Sequence, residues 1–298
     1  MALPRTHDQP VGVLLRGWRE QRRLTQMDLA ERESVSTRHI SFVENGRSRP
    51  TSEMIIVLAE QLDVPLRERN QLLLAGGYAP AYSERDLTSP SMSAVSEAID
   101  RVLTGLAPLP AVVVDRRWEL VAANDAIVLF TTGVAPWLLD PPVNVLRLSL
   151  HPDGMAPRIL NLPEWKAHLL DRLARQAEAA GDDVLRDLHA ELSGYPAHAG
   201  HRARDRDADG HHRQAATSKT TNRDNSDQER VGSRAGMWAA NTIVVPMHYQ
   251  SPRGELALFT ATTVFGTPTD VTVSELAIET FYPADPASAG LLNASPHS

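Results

Sequence analysis

The chain has 298 residues, a formal net charge of −7 and no cysteine. Hydrophobic residues make up 42% and charged residues 22%, the balance of a soluble protein able to bury more than one core, so two domains are expected. The absence of cysteine excludes a disulfide framework and any thiolate metal centre. The opening MALPRTHDQP holds no apolar stretch of signal-peptide length, so a cytoplasmic protein without a membrane span is expected.

From Val11 onward the apolar residues recur at helical spacing. Val13, Leu14 and Trp18 mark a first helix that ends near Arg23. Thr25, with Asp28 three residues on, comes close to a capping box for a second helix carrying Met27, Leu29 and Ala30. Ser34-Val35-Ser36 reads as the turn, and Ser36 as the cap of a third helix that turns Ile40 and Val43 inward and stops at Asn45-Gly46. Thr51 or Ser52 begins a fourth, whose Met54, Ile55, Leu58, Ala59 and Leu62 form one apolar face. Pro65 opens a fifth, closed by Gly76-Gly77. Residues 1–78 are therefore expected to form an all-α five-helix domain. Residues 79–92, rich in Pro and Ser, read as a linker.

A second domain is expected over residues 93–290. It starts with a helix, Ser93–Leu106, and two strands, Ala111–Asp115 and Trp118–Ala123. Asn124 is expected to cap a helix through Phe130, and helices follow over Glu164–Ala180 and Asp183–Leu192. Three strands close the chain, Thr242–Tyr249, Glu255–Val264 and Glu275–Phe281, the first pair joined by the turn Ser251-Pro252-Arg253-Gly254. This order predicts an α+β plan, a five-stranded antiparallel sheet with helices over one face. Residues 197–236 have almost no apolar side chains and are expected to form a disordered insert. Its His201, His211 and His212 lack a regular ligand spacing, so no metal site is expected.

The chemistry concentrates in Thr25–Arg49. Residues 1–50 carry nine arginines against six acidic residues, a local cationic excess in an acidic chain. With Ile40 and Val43 inward, Ser36, Thr37, Arg38 and Ser41 point outward near the leading end of the third helix, the end that enters a major groove. Arg38 suits bidentate bonding to guanine, and Thr37 and Ser41 suit base edges or phosphates. Gln26, at the start of the second helix, suits a phosphate contact. Asn45, Arg47 and Arg49 follow the third helix and suit the DNA backbone. A helical bundle making only protein contacts is the alternative. In the second domain Phe130, Trp137, Leu138, Leu146, Ile159, Leu160 and Trp165 offer an apolar ligand-binding lining, with Arg158 and His151 placed to orient a carboxylate. Plain core packing competes with that reading. There is no G-x-S-x-G elbow, phosphate loop or H-E-x-x-H, so no catalytic residue and no cofactor are expected.

Residues 11–77 resemble the phage-repressor (Xre/Cro-type) helix-turn-helix family, and VSTRHISFVENGRSRPTSEMIIVLAEQLDVPLRERNQLLLAGGYAP is similar to its MmyB-like branch. VVVDRRWELVAAN, NVLRLSLHPDGM, RILNLPEW and VFGTPTDVTVSELAIETFYPAD resemble the MmyB-like ligand-binding domain, a PAS-like fold. The resemblance implies a transcription regulator that binds double-stranded DNA and a small apolar, fatty-acid-like ligand. A homodimer is expected because one reading helix gives little specificity. Two positions depart from the family: Ser34, where relatives often carry Gly in the turn, and Phe42, where many carry a polar base-contacting residue.

Overall fold

Short-range capping sets several helix starts in the computed structural model, which describes residues 9–32, 36–197 and 245–293. Helix α1 spans Val11–Gln21 and buries Val11, Gly12, Leu15 and Arg19. Val13 is 47% exposed, because two positions from both Val11 and Leu15 lies across the helix. Before α2 (Gln26–Arg32), the Thr25 amide donates to Asp28 Oδ2 at 2.7 Å and the Asp28 amide to Thr25 Oγ1 at 3.1 Å. This is the reciprocal capping pair expected from the sequence. Leu29 and Ala30 are buried on α2, whereas Met27 is exposed. Ser34 and Val35 of the expected turn lie outside the described residues. Ser36 caps α3 (Thr37–Glu44), its Oγ accepting from the His39 amide. The helix ends at Asn45 and at Gly46, where φ is +70°. Thr51 caps α4 (Ser52–Gln61), and Pro65 precedes α5 (Leu66–Ala75).

These five helices share one core, in which Leu15, Leu29, Ile40, Ile55, Leu58 and Leu72 are among the buried side chains. α1 passes directly over α3: a Cβ on Gly12 would stand 2.1 Å from the Val43 carbonyl oxygen. Only glycine lets the two helices approach so closely. The chain after α5 is clamped. Asn70 Oδ1 accepts from the Ala81 and Tyr82 amides, and its Nδ2 donates to the Tyr82 carbonyl. Ser83 Oγ then donates to Asp270 Oδ2 at 2.8 Å, so residues 81–83 of the linker are fastened to α5 and to the second domain.

The second half is α+β. Helix α6 (Ser93–Leu106) leads into β1 (Ala111–Val114) and β2 (Leu120–Ala123). Helices α7 (Val128–Thr131), α8 (Val145–Leu150), α9 (Leu162–Ala180) and α10 (Asp183–Ser193) follow. Then come β3 (Met247–Ser251), β4 (Gly254–Val264), α11 (Val271–Ser274), β5 (Ala277–Pro283) and α12 (Pro286–Asn293). The strands form one antiparallel sheet in the order β2-β1-β5-β4-β3. The last strand thus lies in the centre, and Glu279 is paired with both Val112 and Thr262.

Four expectations are corrected. Helices cover both faces of the sheet. Val112 and Val114 of β1 join the core with Leu169 and Leu173 of α9, while Ala111 and Val113 join Ile99 and Leu103 of α6. A strand apolar at every position, AVVV, has two faces to bury. Asn124 caps nothing: its Oδ1 accepts from the Ala111 amide and its Nδ2 donates to the Leu103 and Leu109 carbonyls, so it ties α6 to the sheet. Trp118 is not in a strand but at φ +65° in the turn before β2. The last strand begins at Ala277, because Asp270 caps α11 in front of it. The expected strand residues 242–244, and the expected insert from residue 198 on with its three histidines, lie outside the described residues. Among the described residues no helix is long and apolar enough to cross a membrane.

Candidate nucleic-acid interface and ligand core

The placement of α3 depends on a buried ion pair. Arg19 of α1 donates through Nε and Nη2 to the two carboxylate oxygens of Glu44, at 2.6 and 2.8 Å, and through Nη1 to the Leu24 carbonyl. Gln26 Nε2 adds a 2.8 Å bond to the same carboxylate. The end of α3, the end of α1 and the start of α2 therefore meet on one acid. Such a pair holds a fixed geometry because its members have no water to exchange into. Gln26 is half-buried. One of its carboxamide hydrogens is already engaged by Glu44, which leaves the other for any phosphate, a constraint the sequence does not reveal.

Along α3, Ser36, Thr37 and Arg38 are exposed at the leading end, Ser41 is half-buried, and Asn45 and Arg47 are exposed at the trailing end. Thr37, Arg38, Ser41 and Asn45 fall at spacings that share a helix face. Asn45 Nδ2 donates to the Ser41 carbonyl at 2.8 Å and lies 3.3 Å from its hydroxyl. Phe42, the odd residue of the motif, is half-buried and carries two guanidiniums on its ring, Arg38 at 5.1 Å and Arg47 at 5.9 Å. Each contact contributes on the order of 0.5–1 kcal/mol at an exposed site, enough to bias both cations toward the α3 surface. Arg49 does something else: it donates to the Gly76 carbonyl and lies over the Tyr78 ring, closing the end of α5.

In the second domain Phe130 is fully buried, edge-on to Tyr249 at 5.2 Å and to Phe281 at 4.7 Å. Arg158 Nη1 lies 3.4 Å from the Tyr249 hydroxyl, which itself donates to the Leu129 carbonyl. Burial pushes the Tyr249 phenol up from its ordinary pKa. The Arg158 guanidinium crosses Gly133, where a Cβ would come within 2.4 Å of Nη2. Among the described residues no carboxylate pairs with Arg158. Phe130 and Arg158 are thus brought together on Tyr249. Trp165 is buried and donates its indole N–H to Ser149 Oγ at 3.1 Å, the arrangement of a packed core side chain. Trp137 is 51% exposed and Leu160 52%, so neither lines an interior. Trp137 stands edge-on to His151, which in turn meets Tyr195. Sequence reasoning missed Tyr249 and Phe281. Their signal was alternation, since both face the α9 side of the sheet with Leu256 and Leu258.

A family model described as the MmyB-like transcription regulator ligand binding domain matches residues 95–294. A second, described as a helix-turn-helix domain, matches residues 10–72. No curated protein matches the chain.

Proposed function

The chain belongs to the MmyB-like transcription regulators, and from that premise we propose that it reads a specific DNA site with the leading half of α3 and senses a small apolar carboxylate in its second domain. The family assignment makes it a DNA-binding transcription regulator with a ligand-binding domain. The base-reading role rests on one observation: Thr37 and Arg38 are exposed at the start of a helix whose far end is locked by the buried Arg19–Glu44 pair. Arg38 reads a guanine, Thr37 and Ser41 contact neighbouring edges or phosphates, and Ser36, Asn45, Arg47 and Gln26 set the register on the backbone.

Arg158 is the basis for a carboxylate of fatty-acid type. Among the described residues it is a cation without a carboxylate partner, beside the Phe130, Tyr249 and Phe281 rings, and an apolar acid satisfies both halves of that environment. Trp137 and Trp165, proposed from sequence, border this region at most. The regulator works as a homodimer on a near-palindromic site, and ligand alters the placement of its reading heads through differential affinity for two states.

The test is fluorescence anisotropy on DNA from upstream of the protein's own gene and on random duplex. Arg38→Ala is expected to weaken specific binding by about 1–3 kcal/mol and random binding little. Equal loss on both duplexes removes the base-reading role. For the ligand, native mass spectrometry of Arg158→Gln after incubation with palmitate is expected to show less bound acid than the parent protein. Equal occupancy refutes the Arg158 assignment.

A further inference from the structure

A recess that neither Phe130, Tyr249 nor Arg158 lines lies where α5 of the DNA-binding bundle meets the β1–β2 turn, α9 and the start of β5. It encloses about 380 Å³, within the range of small-molecule sites. Pro65, Val114, Trp118, Val264 and Leu276 give it apolar walls. Trp118 is immobilised there: its Nε1 donates to Gln176 Oε1 at 2.8 Å, and the Arg172 guanidinium covers its ring at 4.5 Å.

Three carboxyls and three guanidiniums line this recess, but they are not all paired with one another. Three arginines border it, and each already has acids. Arg67 pairs with Glu275 at 2.7 Å and Glu84 at 2.6 Å. Arg116 lies 3.3 Å from Asp182. Arg172 grips Glu279. Two more carboxyls, Glu68 and Asp115, border the space. Asp115 Oδ1 is satisfied by the Arg117 and Glu119 amides. Among the described residues Glu68 makes no hydrogen bond or ion pair, and Arg116 and Arg67 act on it only through space. Half-buried Glu68 is thus, among the described residues, the lining acid with neither a hydrogen bond nor an ion pair. Burial, more than its neighbours Asp182 and Glu275, holds its carboxyl above the ordinary range, against the pull of Arg116 and Arg67. An unpaired acid in this setting gains from any cation brought to it.

We propose that this recess binds a small organic cation, an apolar or aromatic body bearing one amine, with its ammonium on Glu68 and its body against Trp118 and Leu276. The occupant touches α5 on one side and the ligand-binding domain on the other. A molecule seated there favours domain placements that keep both walls in reach, to the extent that it binds them better. Arg158 does not line this recess, and its unpaired group is an acid where the Arg158 core offers a cation, so the two respond to different ligands.

The test uses the full chain and tryptamine, followed by isothermal titration calorimetry at pH 8. Saturable one-to-one binding is expected, weakened about tenfold or more by Glu68→Gln, as the loss of a charge-assisted contact implies. Ala180→Leu fills the recess from the end of α9 while keeping the Glu68 carboxylate itself and is also expected to weaken binding. Indole-3-propionate, the same ring with the opposite charge, is expected not to compete. The proposal is overturned if tryptamine shows no saturable binding, if both variants bind it as the parent does, or if indole-3-propionate displaces it.

Discussion

Replacing Glu44 with alanine tests the brace beneath the reading helix. The Glu44 carboxylate accepts from Arg19 Nε, Arg19 Nη2 and Gln26 Nε2. Its side chain is 2% exposed and that of Arg19 is 9% exposed. Among the described residues, removing it leaves the guanidinium with only the Leu24 carbonyl at 2.8 Å and the outlying Glu20 at 3.8 Å. Stranding one member of a buried pair costs about 3–5 kcal/mol. Glu20 offers partial replacement, so a loss near the lower end, about 3 kcal/mol, is expected. Hydrogen exchange read by mass spectrometry over peptides from residues 11–78 reports the opening free energy of this bundle separately from the second domain. Operator affinity should fall in parallel, since α3 loses its anchor to α1 and α2. Arg19→Met combined with Glu44→Leu should recover most of the stability, because an apolar pair of similar volume needs no desolvation. It should not recover operator affinity, since Gln26 then has no acceptor. A loss below about 1 kcal/mol for Glu44→Ala would put the pair among solvated surface bridges and refute the brace.

Other outcomes follow from single contacts. Gly12→Ala drives a methyl group to 2.1 Å from the Val43 carbonyl oxygen, so α1 must lift from α3; a loss of about 1–3 kcal/mol is expected in the same exchange measurement. Asn70→Ala removes three hydrogen bonds to the backbone of residues 81 and 82, and faster limited proteolysis within residues 79–92 is expected; unchanged cleavage would show that the clamp does not hold the linker. The hydrogen bond from Arg147, then that from Tyr195, holds the Glu191 carboxyl down at about 2, below its ordinary 4.5. A depressed acid stabilises the fold fully above pH 4.5, and that contribution fades as pH falls toward 2. Carbon-detected titration of the Glu191 carboxyl is expected to show a midpoint near 2; an ordinary midpoint would mean that Arg147 does not engage it.

The helices of the N-terminal bundle were legible because their ends are local events. Thr25 with Asp28, Ser36 with His39, and Thr51 with Met54 each act within three residues, a distance at which side-chain type alone decides who bonds to whom. The Ser251–Gly254 turn and the inward Ile40 and Val43 were legible for the same reason. The exposed Thr37 and Arg38 follow from those, since burying one face of a short helix presents the other.

Everything joining distant residues was decided by the tertiary structure. An asparagine after a strand reads as a helix cap, yet Asn124 reaches back to Leu103, Leu109 and Ala111. Gln26 reads as a free donor until Glu44, 18 residues on, is folded against it. Trp137 and Trp165 look alike in sequence, but only Trp165 is turned into the core. The bond between Arg67 and Glu275 spans 208 residues, and no periodicity carries that information. Residue spacing states which side of an element is apolar. It does not state which other element will cover that side, because the answer depends on the path the whole chain takes to close its cores.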